Sequence, residues 1–147
     1  MIKIISFIDS FKHYSEPIKE FQKRMWKDVE LIKLKPIKNW NIIEKETDIL
    51  FDLLSKENGF KIVLNPNWKN LNTEEFYDFI EDKKTSNKNI IFIIWWANGI
   101  NYSKIKHLVD YELNFWKMIM PHILILLVLI EQIYRILMIK KGTSYHK

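Results

Sequence analysis

The 147-residue chain has no cysteine, only three glycines and four prolines. Without cysteine there can be neither a disulfide nor a thiolate metal site, which suits a reducing compartment. Average usage of about 7% would put about 10 glycines in a chain of this length. Few positions are therefore left for backbone that takes positive φ or approaches a ligand closely. Four histidines, His13, His107, His122 and His146, lack metal-ligand spacing. There is no Walker phosphate loop, no G-x-G-x-x-G, no internal repeat and no low-complexity linker. No Ser/His/Asp or Cys/His arrangement is readable. The opening stretch from Met1 to Asp9 is too short and too soon charged for a signal peptide, so the expected location is the cytoplasm.

What is present is apolar and basic. Hydrophobic residues make up 48% of the chain and aromatics 14%, enough for a core, and the length suits one domain over 1–147. The net charge of +5 comes from lysines spread along the chain, a balance that favours encounter with a polyanion without naming it.

Taken in order, the pattern alternates strands and helices. Ile2 to Ile8 reads as a buried strand, followed by a helix capped by Ser15 with Ile18, Phe21 and Met25 on one face. Val29 to Leu34 alternates apolar with charged residues as a second strand, stopped by Pro36. From Asn41 to Asn58-Gly59, apolar residues recur at helical spacing (Ile42, Ile43, Ile49, Leu50, Leu53, Leu54). Phe60 to Leu64 is a third strand with a turn at Asn65-Pro66-Asn67, and Thr73 caps a helix with an acidic first turn. Ile90 to Ile94 is unbroken apolar sequence, the mark of a strand covered on both faces. The reading is an α/β fold with a mostly parallel sheet and flanking helices. In such sheets ligands sit beyond the carboxyl ends of the strands, which points to Leu64-Asn65, to Trp95 through Gly99, and to Phe115 through Met120.

The last quarter predicts a helix from about His122 to Lys140, apolar all round from Ile123 to Ile130. A membrane span wants about 20 apolar residues, and here Glu131 and Arg135 interrupt the run. Burial in a core or against a second copy of the chain is favoured over a membrane tether.

Ile91-Phe-Ile-Ile-Trp-Trp-Ala-Asn-Gly-Ile100, Leu113-Asn-Phe-Trp-Lys-Met-Ile-Met-Pro-His122, Leu129-Ile-Glu-Gln-Ile-Tyr-Arg135 and Gly142-Thr-Ser-Tyr-His-Lys147 stand in order. Together they resemble the successive motifs of the RlmH family of SPOUT methyltransferases. The match runs from about Asn89 to Lys147, with a weaker echo at Lys61 through Lys69. The resemblance implies a C-terminal trefoil knot, a homodimer, S-adenosylmethionine as cofactor, and methylation of N3 of a pseudouridine in large-subunit ribosomal RNA. By the same match, cofactor-binding positions are Leu64, Trp95, Phe115, Trp116, Lys117, Met118, Ile119 and Met120. Tyr145 and His146 would face the nucleotide as catalytic residues, and His122, Glu131 and Arg135 would support the site. From the residues alone, Leu64, Phe115 and Met118 read as core, His122 as a helix-capping side chain, and Glu131 with Arg135 as an i,i+4 pair. No metal is implied.

The chain departs from that family chiefly in its glycine loop, where Trp95-Trp96 stands for a Gly-Gly pair, while Gly99 is kept. Trp68 replaces another glycine, Trp116 a small residue, Ile119 a threonine and Leu126 an arginine. Indoles there would fill a cofactor pocket. Two accounts remain open: a pseudoenzyme that keeps fold and RNA affinity, or a gene whose UGA codons are read as glycine and written here as tryptophan at 68, 95 and 96.

Overall fold

The computed structural model describes every residue except 39, 66–68, 96–98, 116, 117, 119 and 147, and His146 without its side chain. Among the described residues five strands, β1 (Ile2–Phe7), β2 (Val29–Leu34), β3 (Phe60–Leu64), β4 (Ile90–Ile94) and β5 (Tyr111–Leu113), build one sheet. Their order is β2-β1-β4-β3-β5, and every neighbouring pair is parallel. All five carboxyl ends therefore lie along one edge. The helices are α1 (Ser15–Met25), α2 (Ile42–Lys56), α3 (Thr73–Ser86), α4 (Tyr102–Ile105) and α5 (His122–Lys140).

The expected α/β architecture and the ranges of β2, β3, β4 and α5 hold. Strand β1 ends one residue early at Phe7, although the Ile8 amide still donates to Leu34 O at 2.9 Å. Every residue of β4 is buried, as its unbroken apolar run requires.

The period-two alternation of the strands sorts their side chains between two cores. Ile2, Ile4, Ile62, Leu64, Ile90, Phe92 and Ile94 meet Ile18 and Met25 of α1, Phe76 and Ile80 of α3, and α5. Ile5, Phe7, Val63, Ile91 and Ile93 meet Leu50 and Leu54 of α2 and Ile105 of α4 on the other face. Helix α2 does not bury its whole apolar set: Ile43 and Ile49 are exposed, while Glu46 and Thr47 go inside. The reason is hydrogen bonding, since Glu46 accepts from the Ile37 amide at 3.0 Å and Thr47 from the Asn101 amide at 2.9 Å.

Helix α5 meets the length and composition test for a membrane span. Instead it packs on the sheet beside α1 and α3, with Ile123, Leu126, Leu129, Ile130, Ile133, Ile136 and Leu137 buried within this one chain. Leu124, Ile125, Leu127 and Val128 are half-buried.

Three expected caps are corrected. Ser15 is already helical at φ −59°, ψ −48°, its amide bonded back to Lys12 O in the preceding single turn, so it cannot take the extended cap conformation. Helix α3 is capped by Asn72, not Thr73: Asn72 Oδ1 accepts from the Glu75 amide and Glu75 Oε2 from the Asn72 amide, both at 2.8 Å. That reciprocal pair is a capping box. At α5 the cap position is Pro121, with no side-chain cap, and His122 is the first helical residue.

Candidate active site

Strands β4, β3 and β5 are consecutive in the sheet, so their carboxyl ends bring three segments together. Leu64 ends β3 and belongs to the first core. Phe115, two residues beyond β5, is half-buried and meets Phe76 edge-on, ring centroids 5.6 Å apart at 88°. Trp95, directly after β4, lies half-buried against the second core with its ring 5.3 Å from Tyr102. Met118 is 69% exposed and Met120 half-buried, whereas Trp116, Lys117 and Ile119 lie outside the described residues, as do Trp68 and Trp96.

Backbone bonds hold the β3 and β5 ends together. The Asn65 amide donates to Leu113 O at 2.9 Å, and the Asn114 amide to Lys69 O at 3.1 Å. Side chains extend the linkage to the segment after β4. Asn65 Nδ2 donates to Glu112 Oε2 at 3.1 Å, and the Tyr102 hydroxyl donates to Glu112 Oε1. Burial first, and then the Glu112 carboxylate, push the Tyr102 phenol well above its ordinary range, so it remains a donor at neutral pH. Glu112 and Tyr102 were not singled out by sequence reasoning. The topological rule named Asn65, but its partner lies 47 residues away.

A second cluster forms where the chain turns back on α5. Gly142 takes φ +69°, a left-handed conformation that glycine adopts without strain, and its amide donates to Ile139 O at 2.9 Å. Thr143 then bonds Met138 O through its amide at 3.1 Å. This turn lays Tyr145 across the middle of the helix. Its hydroxyl donates to Glu131 Oε1 at 3.3 Å, its ring meets Tyr134 edge-on at 4.8 Å, and the Arg135 guanidinium lies 5.1 Å from its centroid.

Arg135 also grips Glu131 at 2.6 Å, so the expected i,i+4 pair exists and supports the tail as well. Gln132 links the cluster to α3, accepting from the Thr73 hydroxyl at 3.1 Å and donating to Glu131 at 2.7 Å. Burial, then Glu131, raise the Tyr145 phenol above its ordinary range against the opposing Arg135. His146 continues this terminal turn in its backbone. His122 lies apart at the front of α5, where burial and then the Lys12 ammonium lower its imidazole below the ordinary value. Among the described residues no group of three acidic or histidine side chains could hold a metal ion.

Comparison with known proteins agrees with this geometry. The model of the predicted SPOUT methyltransferase family matches residues 1–146. Ribosomal RNA large subunit methyltransferase H of Caldicellulosiruptor bescii is 40% identical over 156 aligned positions that span both chains entirely. The proteins of that name from Fusobacterium nucleatum and Streptococcus gordonii are 38% and 36% identical, each over 92% of both chains. With a parallel sheet whose β4, β3 and β5 ends converge, and a match along nearly its whole length, this chain belongs to the SPOUT methyltransferase family.

Proposed function

We propose that the protein uses S-adenosylmethionine to methylate N3 of a pseudouridine in large-subunit ribosomal RNA. It acts in the cytoplasm as a homodimer of single domains, residues 1–147, each closed by the trefoil knot of its family. The observation that carries this reading is the side-by-side placement of Leu64, Trp95 and Phe115 at adjoining strand ends.

The residues fit the cofactor in chemistry. Leu64 and Phe115 border the same apolar core and offer a surface suited to a flat adenine. Backbone donors and acceptors of the strand-end segments complete the site, and by the family resemblance Trp116, Lys117 and Ile119 serve the same cofactor. Bound there, S-adenosylmethionine supplies an electrophilic methyl group on a sulfonium. The chain's own task is alignment, which can remove several kcal/mol of barrier, up to about 7–11. Tyr145, whose one hydroxyl proton goes to Glu131, faces the nucleotide with its phenol oxygen as a hydrogen-bond acceptor. His146 accepts the proton that N3 gives up on methylation. Glu131 and Arg135 hold Tyr145, and His122 stands at the entrance of the same helix. Leu124, Leu127 and Val128, at i, i+3 and i+4 and half-buried in the single chain, meet the second copy, on a row that continues to Glu131.

The tryptophans favour recoding over decay. Trp26 and Trp40 are 70% and 86% exposed, and Trp95 is only half-buried. Tryptophan is ordinarily buried to a high degree, so the indoles of Trp26 and Trp40 add little to the core, while Trp95 packs against the second core as a half-buried neighbour. Meanwhile Gly99 keeps φ +75° with nothing within 4 Å of a Cβ position, a backbone conformation that favours glycine. We read Trp68, Trp95 and Trp96 as UGA codons that the source translates as glycine.

One experiment tests both statements. The chain with glycine at 68, 95 and 96 is incubated with methyl-labelled S-adenosylmethionine and ribosomal subunits that lack the modification. Label on N3 of a large-subunit pseudouridine is expected, and its loss on deletion of Tyr145 through Lys147. No label on any subunit would overturn the enzyme. UGG at codons 95 and 96 would overturn recoding and leave a pseudoenzyme.

A further inference from the structure

Glu112 occupies the middle of β5, between Tyr111 and Leu113 that serve the first core. In register it stands opposite Val63 of β3, so its side chain leaves the sheet on the face of the second core. A carboxylate placed there costs desolvation unless it is bonded. Both of its oxygens are engaged, and they are engaged by different loops. Oε2 takes the amide of Asn65, the first residue after β3. Oε1 takes the hydroxyl of Tyr102, where the chain re-enters helix after leaving β4.

The neighbouring residue, Asn101, is anchored to α2: its amide donates to Thr47 Oγ1 at 2.9 Å and its side chain to Glu44 at 3.2 Å. Lys104 closes on the same Glu44. The segment from Trp95 to Asn101 is thereby fixed at both ends, by β4 at its start and by the Tyr102–Glu112 and Asn101–Thr47 bonds at its finish.

We propose that Glu112 is a positioning residue for the methyl donor. Through Asn65 and Tyr102 it draws the segments after β3 and β4 together over the end of β5, and so sets the spacing of the three backbone stretches that enclose the cofactor. This rests on the methyltransferase reading above. Glu112 does not touch the cofactor; it acts through the two loops. Hydrogen bonds to a charged group are strong enough that losing one shifts an equilibrium by about 10-fold to 100-fold. Because both bonds end on one carboxylate, their losses should couple rather than add.

The test is titration of S-adenosylhomocysteine into the full glycine-restored chain and its Glu112→Gln, Tyr102→Phe and double variants, alongside thermal midpoints and amide exchange. The Glu112→Gln side chain keeps the shape but loses the charge and one acceptor oxygen, so at least one of the two bonds must be lost or reversed and neither is charge-assisted. We expect each single variant to weaken binding about 10-fold with a midpoint within a few degrees of the parent. Exchange at Asn65 and at Gly99 through Tyr102 should quicken, and the double variant should lose less than the product of the singles. Glu112→Asp, with the charge but a shorter reach, should recover part of the affinity. Variants that bind as tightly as the parent, or that lose affinity only in step with the midpoint, overturn the positioning role while leaving the enzyme reading intact. A parent that binds no S-adenosylhomocysteine overturns the enzyme reading, and the positioning role with it.

Discussion

The two faces of the sheet are built from different chemistry. On the face of α1, α3 and α5 the core is apolar, and aromatic pairs such as Phe76–Phe92, Phe76–Phe115, Phe79–Tyr111 and Phe21–Tyr134 fasten the helices, with polar bonds between α3 and α5 at its rim. On the face of α2 and α4 the apolar cluster is smaller, and its carboxyl-edge end is finished by polar side chains: Thr47, Glu44, Asn101, Tyr102, Glu112 and Asn65. Apolar burial is non-directional and roughly proportional to area. Hydrogen bonds contribute less net free energy but fix direction and distance. The first face therefore holds the molecule folded, and the second sets where three loops stand.

The largest effect should come from the first face. Phe92, fully buried in β4 and 6.0 Å from Phe76, should cost about 3–5 kcal/mol as Phe92→Ala, a fall of roughly 10 °C in thermal midpoint. A fall under about 3 °C would remove the contrast between the faces. The second face should respond less and more locally. Thr47→Val keeps the shape but leaves the Asn101 amide without its acceptor, for about 1–3 kcal/mol. Faster exchange should concentrate at Asn101, and Thr47→Ser should reverse it. Uniform loosening of the whole domain would show that this polar end is no more local than the apolar one.

The smallest effect sharpens the first face from its edge. Folding lowers the His122 value, by burial and then by Lys12, so below the ordinary histidine value of about 6.5 the unfolded chain binds more protons than the folded one. Stability from this group is present above that value and is lost as pH falls through the window below it. Denaturant midpoints should decline slightly between pH 7 and 5, and His122→Gln should flatten that part of the decline. An unchanged slope in the variant would assign it to other groups.

Much of the frame was legible because burial leaves a period in the sequence. Ile90–Ile94 announced itself as a strand covered on both faces, Phe60–Leu64 as a strand, and His122–Lys140 as a helix, within the observed bounds. Strand β5 was not legible: Tyr111-Glu112-Leu113 does alternate, but three residues are too few for the alternation to stand out. The cap of α3 was misplaced by one residue although Asn72-x-x-Glu75 carried the capping-box spacing, because Thr73 beside it is also a good cap type. In the site, Leu64, Trp95 and Phe115 could be named from motif positions. The bonds that join their loops could not, since Tyr102, Glu112 and Asn65 come from elements whose adjacency is created by sheet order alone.

The register of the two central strands has a consequence for synthesis. Ile2 of β1 pairs with Ile90 of β4, so 88 residues (90 − 2) separate partners in the middle of the sheet. At about 5–20 residues per second, β1 waits roughly 4–18 s on the ribosome before β4 is made. During that time the strand Ile2–Phe7 has only β2 to pair with, on one side. The other edge of its Ile-rich backbone stays open to any extended chain nearby. The fold's most buried seam thus closes late, and slowing translation between β2 and β4 should raise the fraction of chains that aggregate before they are complete.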